Sequence, residues 1–184
     1  MKVKTRDVIL VSMFAALSAI GAFIKIPVGA VPITLQFLFV ALSGVLLGAR
    51  LGALSQIVYV VIGLIGIPVF TSGGGISYIF KPTFGYLIGF IAASYVIGKI
   101  SENSDRPSLE RLFIATLVGL IISYLIGVPY LYIIVRYIIG TKITAYSALK
   151  TGCLVFISGD LAKCLVTAIL SYRIIPTLKK ATLT

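Results

Sequence analysis

The sequence of 184 residues has no histidine and only two cysteines, Cys153 and Cys164. Histidine and cysteine are the usual ligands of zinc and related metals, so we expect no metal site. Acidic residues are scarce as well, with five Asp and Glu in the chain. Enzymes that transfer phosphate or lipid groups normally use several carboxylates or a metal ion. This composition therefore favours ligand recognition over catalysis.

Charged residues of both signs make up 11% of the chain, less than half of the roughly 25% found in soluble domains. Hydrophobic residues make up 59% before the 18 glycines are counted, and the mean hydropathy is +1.14. This composition excludes an ordinary soluble protein and predicts an all-α integral membrane protein. We expect a single transmembrane substrate-binding domain over residues 1–184.

The net charge is +11, from 16 Lys and Arg against the five acids. Nucleic-acid binding requires a basic patch on a water-exposed face. A chain this apolar offers no such face, so we expect no nucleic-acid partner. The basic excess is instead typical of a protein in the lipid bilayer. Its cations are attracted to anionic headgroups, and Lys and Arg are enriched in the cytoplasmic loops of such proteins.

Apolar runs separated by Gly and Pro predict six transmembrane helices in one bundle. They cover about 7–24, 33–48, 52–65, 83–100, 111–126 and 148–172. The intervening segments 27–32 and 66–82 break helices but remain apolar. We expect them to form ordered outer loops after the first and third helices. Gly127 and Pro129 are expected to end or kink the fifth helix.

The distribution of cations predicts the orientation, because short cytoplasmic connections are rich in Lys and Arg. An inner N-terminus places ten cations in the cytoplasm: Lys2, Lys4, Arg6, Arg50, Lys99, Arg106, Arg111, Arg173, Lys179 and Lys180. It leaves five outside: Lys25, Lys81, Arg136, Lys142 and Lys150. Both termini are therefore predicted to be cytoplasmic.

Asp160 and Lys163 are the acid and the lysine that fall in the middle of the last predicted span. Each costs about 2.5 to 3.5 kcal/mol at a bilayer centre, so each needs a reason to be there. Their spacing of three places them on one helix face. Together they offer acceptors and donors to a neutral ligand such as a cyclic urea. The alternative is a structural ion pair that holds helices together.

The segment 66–82 contains a second group of candidate binding residues. Gly73, Gly74 and Gly75 would let the backbone approach a ligand and offer free N–H groups, or would form a flexible turn. Aromatic residues around them, including Tyr78, Phe84 and Tyr86, could wall an apolar pocket or anchor the loop. Lys81 is the cation placed to meet a carboxylate, and a lysine that extends to the membrane interface is the alternative.

The first predicted helix has a face of small residues that includes Ala15 and Ala19. Small residues four positions apart allow close helix contact in lipid. This face could bind a partner helix or pack inside the bundle.

Five motifs resemble those of the BioY family, the biotin-binding S components of energy-coupling factor (ECF) transporters. They are Val31-Pro-Ile-Thr-Leu-Gln36, Leu46-Leu-Gly48-Ala-Arg50-Leu-Gly52, Gly66-Ile-Pro-Val-Phe70, Pro82-Thr-x-Gly-Tyr86-Leu-x-Gly-Phe90 and Gly159-Asp160-x-x-Lys163. Lys81 and Phe84 depart from the pattern, since many relatives have glycine at these positions.

The resemblance implies a protein of the prokaryotic cell membrane with six transmembrane helices and no enzymatic activity. Biotin would be its transported substrate rather than a cofactor, bound near the outer surface by Asp160 and Lys163, with Gln36 in the same site. Ala15 and Ala19 would pack against a transmembrane coupling (T) subunit, carried in turn by two ATPases. An S component for another vitamin, or a small membrane enzyme acting on a lipid, are the alternatives.

Overall fold

The computed structural model describes residues 4–27, 31–102 and 107–182, with the backbone alone from 178 onward. Lys2, Arg106 and part of the expected first outer loop, residues 28–30, lie outside the described residues, as do the side chains of Lys179 and Lys180. Within the described chain, five helical segments are long and apolar enough to cross a membrane. The fold is all-helical apart from one short strand pair.

The helices follow one another along the chain with short connections. They are α1 (Thr5–Phe23), α2 (Gln36–Leu64), α3 (Phe84–Glu102), α4 (Leu109–Ile133), α5 (Ala145–Leu149) and α6 (Ile157–Thr182). Strands β1 (Lys25–Ile26) and β2 (Ile33–Thr34) pair antiparallel between α1 and α2. A 3₁₀ helix (Ile76–Phe80) precedes α3, and π-helical turns (Ile134–Ile138 and Lys150–Leu154) follow α4 and α5.

Helix α2 is a helical hairpin that reverses direction at Gly48. Gly48 has φ 82° and ψ 178°, a conformation that is essentially restricted to glycine. Beyond this residue the chain runs back alongside the first half of the helix. The evidence is a hydrogen bond of 3.2 Å that the Gln56 side-chain amide donates to the Ser43 hydroxyl. In a continuous helix these residues would be about 20 Å apart. Residues 36–47 and 49–64 therefore form two antiparallel helical segments.

Small and polar residues let these segments pack closely. Gly44 and Gly98 have no room for a β-carbon, since backbone atoms of α3 and α2 respectively would meet it. A fully buried hydrogen-bonded chain links Ser18 of α1 to Gln56 at 3.1 Å, and Ser43 to Ser94 of α3 at 2.9 Å. In lipid, such close contacts and interhelical hydrogen bonds replace the hydrophobic effect as the source of helix association.

The fifth predicted span extends further than the sequence indicated. Helix α4 continues through Gly127 and Pro129 to Ile133 and then into a π-helical turn, so the helix does not end at 126. Gly127 lies against the ring of Tyr86 on α3. A proline is tolerated inside a membrane helix because neighbouring groups can satisfy the freed carbonyl.

The last helical segment presents an apolar face away from the protein. Its exposed side chains include Leu161, Leu165, Val166, Ile169 and Leu170. Its buried face carries Asp160, Lys163 and Thr167. With apolar residues on its exposed face and polar residues on its buried face, this segment is typical of a helix that lies between lipid and a polar interior.

The two ends of the bundle differ in charge. One end holds Gly48 and the end of α3, joined by a hydrogen bond of 2.5 Å from the Ala49 amide to Glu102. The other end holds the strand pair, the segment 65–83 and the start of α6. Among the described residues, the acids at the first end are Asp7, Glu102 and Glu110, whereas Asp160 is the acid at the second.

Candidate functional site

A cavity opens at the end of the bundle where the strand pair and the segment 65–83 lie. It has about 620 Å³ of atom-free space, its open mouth included. Its polar lining residues include Thr34, Gln36, Tyr124, Asp160 and Lys163. Apolar and aromatic lining residues include Phe37, Tyr78, Tyr86, Phe90 and Phe156. An apolar wall with a few convergent polar groups is typical of a ligand site.

Asp160 and Lys163 form an ion pair in the wall of this cavity, one turn apart on α6. The two residues are 8% and 9% exposed. The structure thus brings together the two groups that the sequence analysis singled out. Burial removes the hydration of both groups, and the attraction between them offsets this cost only when further hydrogen bonds satisfy the remaining donors and acceptors.

Two groups that the sequence analysis missed supply those hydrogen bonds. The Tyr124 hydroxyl of α4 donates to the second carboxylate oxygen of Asp160. The Lys163 ammonium donates to the Thr34 carbonyl of β2 at 2.7 Å. No sequence signal marks Tyr124, because it lies near the end of the predicted span 111–126, where tyrosine is common.

Gln36 lies in the cavity wall at the start of α2 and is 3% exposed. Its side-chain nitrogen donates to the Tyr59 hydroxyl at 2.9 Å, and Tyr59 donates to the Val69 carbonyl at 3.1 Å. With its nitrogen held in this way, the Gln36 carbonyl oxygen is oriented as an acceptor. The same chain of bonds attaches the segment 65–83 to α2.

Tyr78 and Tyr86 also line the cavity. The Tyr78 hydroxyl bonds to the hydroxyls of Thr71 at 2.8 Å and Thr83 at 3.0 Å. Tyr86 donates to the Gly152 carbonyl at 2.6 Å. Because each hydroxyl is held by the protein, these tyrosines present mainly their rings to the cavity.

The glycine cluster occupies a different position from the one expected. Gly73 donates to the Phe70 carbonyl at 3.3 Å and Gly75 donates to the Gly63 carbonyl at 2.7 Å, so these two amides are not free to form an anion nest. Gly74 lies directly against the backbone of Ile67 and Gly63. The described cavity lining does not include the three glycines. They dock the segment 65–83 onto the end of α2.

Lys81 and Phe84 likewise lie outside the described cavity lining. Lys81 is exposed at the end of the 3₁₀ helix. Phe84 is 7% exposed, with its ring centroid 6.0 Å from that of Tyr130. Phe84 therefore packs α3 against α4.

The small-residue face of α1 packs largely inside the bundle. Ala15 is 3% exposed and belongs to the hydrophobic core, and the partly buried Ala19 packs against that core. Ala16 lies on the exposed side of the same helix. Contact between Ala19 and a partner helix stays a prediction.

The polar groups of the cavity suit a ligand with adjacent donors and acceptors. Lys163 uses two of its three N–H donors on Asp160 and Thr34, which leaves one. Both Asp160 oxygens and the Tyr124 oxygen retain lone pairs that can accept. The site can thus donate to a ligand oxygen while it accepts from ligand N–H groups beside that oxygen.

Comparison with known proteins shows which family the chain resembles. The BioY family model matches residues 1–180. The probable biotin transporter BioY of Lysinibacillus sphaericus is 44% identical over 177 residues, covering 96% of this chain and 90% of that protein. The biotin transporter BioY of Thermotoga maritima is 38% identical over 170 residues, covering 92% of this chain and 95% of that protein.

A solved structure is similar as well. It is a crystal structure of the S-component for biotin from an ECF-type ABC transporter, with a TM-score of 0.80 and 28% identity. The alignment covers 92% of this chain and 90% of that chain. Since the family model spans nearly the whole sequence and the relatives match along their length, the chain belongs to the BioY family.

Proposed function

We propose that this protein captures biotin in the cavity and serves as the substrate-binding S component of an ECF-type transporter. The observation that carries the proposal is the buried Asp160 and Lys163 pair in the cavity wall, held by Tyr124 and Thr34. The family supports the substrate, because its relatives are biotin transporters. The protein binds its ligand and performs no reaction on it.

The ureido ring of biotin fits the polar end of the cavity. Its carbonyl oxygen would accept from Lys163, and its two N–H groups would donate to Asp160 and to a neighbouring acceptor such as Gln36. The fused sulfur-containing ring would lie against the aromatic walls, where Phe37 and Phe90 have ring centroids 6.2 Å apart. Charge-assisted hydrogen bonds in a buried site would give this end of the ligand most of its affinity.

The chain crosses the membrane six times in this proposal, because the hairpin within α2 counts as two crossings. The cavity then faces outward, and both termini are cytoplasmic. The distribution of cations supports this orientation, since the connections predicted at the cavity end carry five cations, Lys163 of the cavity wall not counted, against ten predicted at the other end. The segments 24–35 and 65–83 would be the outer loops that cover the ligand.

Energy for uphill transport would come from partner subunits. The sequence contains no Gly-x-x-x-x-Gly-Lys-Ser/Thr motif for nucleotide phosphates. We therefore propose a membrane-embedded T subunit and two ATPase subunits as partners, with Ala19 at the contact with the T subunit. ATP hydrolysis by the purified chain would contradict this part of the proposal.

Mass spectrometry of ligand that copurifies with the protein, followed by calorimetric titration, tests the function. Biotin should be released on denaturation and should rebind to the emptied protein, whereas thiamine and riboflavin should not bind. Release of another vitamin would indicate an S component of different specificity. Turnover of a lipid would indicate a membrane enzyme.

A further inference from the structure

Lys25 spans the two segments that border the cavity. Its backbone lies opposite Thr34 in the strand pair, and its ammonium donates to the Thr71 carbonyl. Thr34 and Thr71 both line the cavity. The side chain thus runs from the segment after α1 to the segment after α2. Lys25 is itself exposed and contacts the cavity lining through Thr71 without belonging to the described lining.

The strand pair fixes the position of Lys25. Ile26 pairs with Ile33 in the same register, and the Leu35 amide donates to the Ile24 carbonyl at 3.2 Å. Thr71, which accepts from the ammonium, is 7% exposed and is held through its hydroxyl by Tyr78 at 2.8 Å. Both ends of this lysine are therefore anchored, and two of its three N–H donors remain for a ligand.

No acid competes for this ammonium among the described residues at the cavity end. Asp160 is the acid at that end, and it is already bonded to Lys163 and Tyr124. A cation at the mouth of a cavity that is not neutralised by a nearby carboxylate attracts anionic ligands.

Other cations at this end are less suitably placed. Lys81, Lys142 and Lys150 are exposed and lie outside the described cavity lining, as Lys25 does. Their ammonium groups have no described hydrogen bond to a lining residue, whereas that of Lys25 donates to Thr71. Arg136 donates to the Tyr132 hydroxyl and lies 5.5 Å and 5.7 Å from the ring centroids of Tyr132 and Tyr137. Neither tyrosine belongs to the described lining of the cavity.

We propose that Lys25, through the ammonium that reaches Thr71, is the residue that binds the carboxylate of the ligand. This proposal rests on the proposed function, because biotin carries its carboxylate on a flexible chain that extends from the ring system. With the ureido ring on the buried pair, that chain would have to extend along the cavity toward Thr71 for its carboxylate to meet the Lys25 ammonium. Lys25 would recognise the free acid and discriminate against neutral derivatives.

Biotin and its primary carboxamide, biotinamide, test the assignment, because they share the ureido ring and differ in the charge at the end of the chain. Wild-type protein should bind biotin about 5- to 30-fold more tightly than biotinamide, the range for a charge-assisted bond at a partly exposed site. Lys25→Met should abolish this preference while leaving the affinity for biotinamide within about twofold of wild type. Lys81→Met is the matched control and should retain the preference.

Calorimetric titration of both ligands on the three proteins distinguishes the outcomes. Retention of the preference in Lys25→Met, or its absence in wild type, would overturn the assignment while biotin binding itself stands. If Lys25→Met lost affinity equally for biotin and biotinamide, the assignment would also be overturned. Lys25 would then only hold the two covering segments together. Failure of wild type to bind either ligand would overturn the proposed function instead.

Discussion

Tyr124 and Asp160 are joined by a hydrogen bond between two different helices, α4 and α6. The tyrosine hydroxyl donates to one carboxylate oxygen while Lys163 occupies the other. The carboxylate is thus held from both sides, and its orientation toward the cavity is fixed before a ligand arrives. A binding group that is preorganised in this way loses little conformational freedom on binding.

Tyr124→Phe removes the hydroxyl but preserves the ring. We expect biotin affinity to fall about 5- to 50-fold, because a hydrogen bond to a charged group contributes about 1.5 to 3 kcal/mol and part of that is lost on binding. Tyr95→Phe is the control, since Tyr95 is 47% exposed on α3. Titration calorimetry measures both, and equal affinities for the two variants would contradict a role for Tyr124 in the site.

Asp160 and Lys163 should each be required for binding. Truncation of either leaves the other charge buried without its partner. The binding free energy of biotin should therefore weaken by about 2 to 5 kcal/mol. Asp160→Asn keeps the size and a carbonyl acceptor, so it should bind biotin more weakly than wild type and more tightly than Asp160→Ala. Lys163→Met should also loosen the strand pair, because it loses the bond to Thr34.

A double replacement separates ligand binding from structural support. If the pair were only structural, Asp160→Leu with Lys163→Met would restore stability and keep biotin affinity. We expect the double variant to fold but to bind biotin no better than the single variants. A double variant that binds like wild type would refute the assignment of these residues.

Gly48→Ala should destabilise the protein by about 1 to 3 kcal/mol, since a non-glycine residue is strained in this backbone conformation. The added β-carbon would also meet the Glu102 carboxylate, which accepts from the neighbouring amide. Gly159→Ala is the control, because nothing lies within 4 Å of its added β-carbon. Unfolding in detergent measures both, and similar midpoints would argue against a strained turn.

Ala19→Leu should reduce transport in cells while leaving biotin binding by the purified chain intact. The added bulk would keep a partner helix at a distance. Ala15→Leu should instead destabilise the chain itself by about 1 to 3 kcal/mol, since Ala15 lies in a packed core. Loss of biotin binding in Ala19→Leu, with the partners still copurifying, would identify the whole face as internal packing.

Biotin should slow hydrogen exchange in the segment 65–83. This segment contributes Thr71, Tyr78 and Thr83 to the cavity, and a bound ligand would stabilise its closed position. The connection that contains Gly140 is the internal reference, since it contributes no described residue to the cavity lining. Equal exchange with and without biotin in residues 65–83 would contradict closure over the ligand.

The sequence predicted the membrane fold and the central ion pair because both leave a strong physical signal. A buried charge in an apolar span is costly, so Asp160 and Lys163 stand out without any structure. The breaks near Gly48 and in the segment 66–82 were predicted from glycine and proline. The sequence left open whether α4 ends or continues with a kink at Gly127 and Pro129, because a neighbouring helix, and not the local sequence, decides whether a proline is tolerated.

The polar contacts of the cavity could not be derived from sequence in the same way. Thr34 acts through its backbone carbonyl, which every residue has. Gly73 and Gly75 suggested free amides, but which carbonyls they meet depends on how their segment docks onto α2. The link from Lys25 to Thr71 joins two segments that are 46 positions apart, and no local pattern indicates it.

The hairpin at Gly48 has a consequence for how the protein enters the membrane. Residues 36–47 and 49–64 extend about 18 Å and about 24 Å at 1.5 Å per residue, and each is shorter than the roughly 30 Å of hydrocarbon. Neither segment is long enough to be retained as an independent span during synthesis. We expect the two to partition into the bilayer together once Gly48 has turned the chain back, so a nascent chain that stops near residue 50 should leave 36–47 outside the bilayer in a glycosylation-mapping assay.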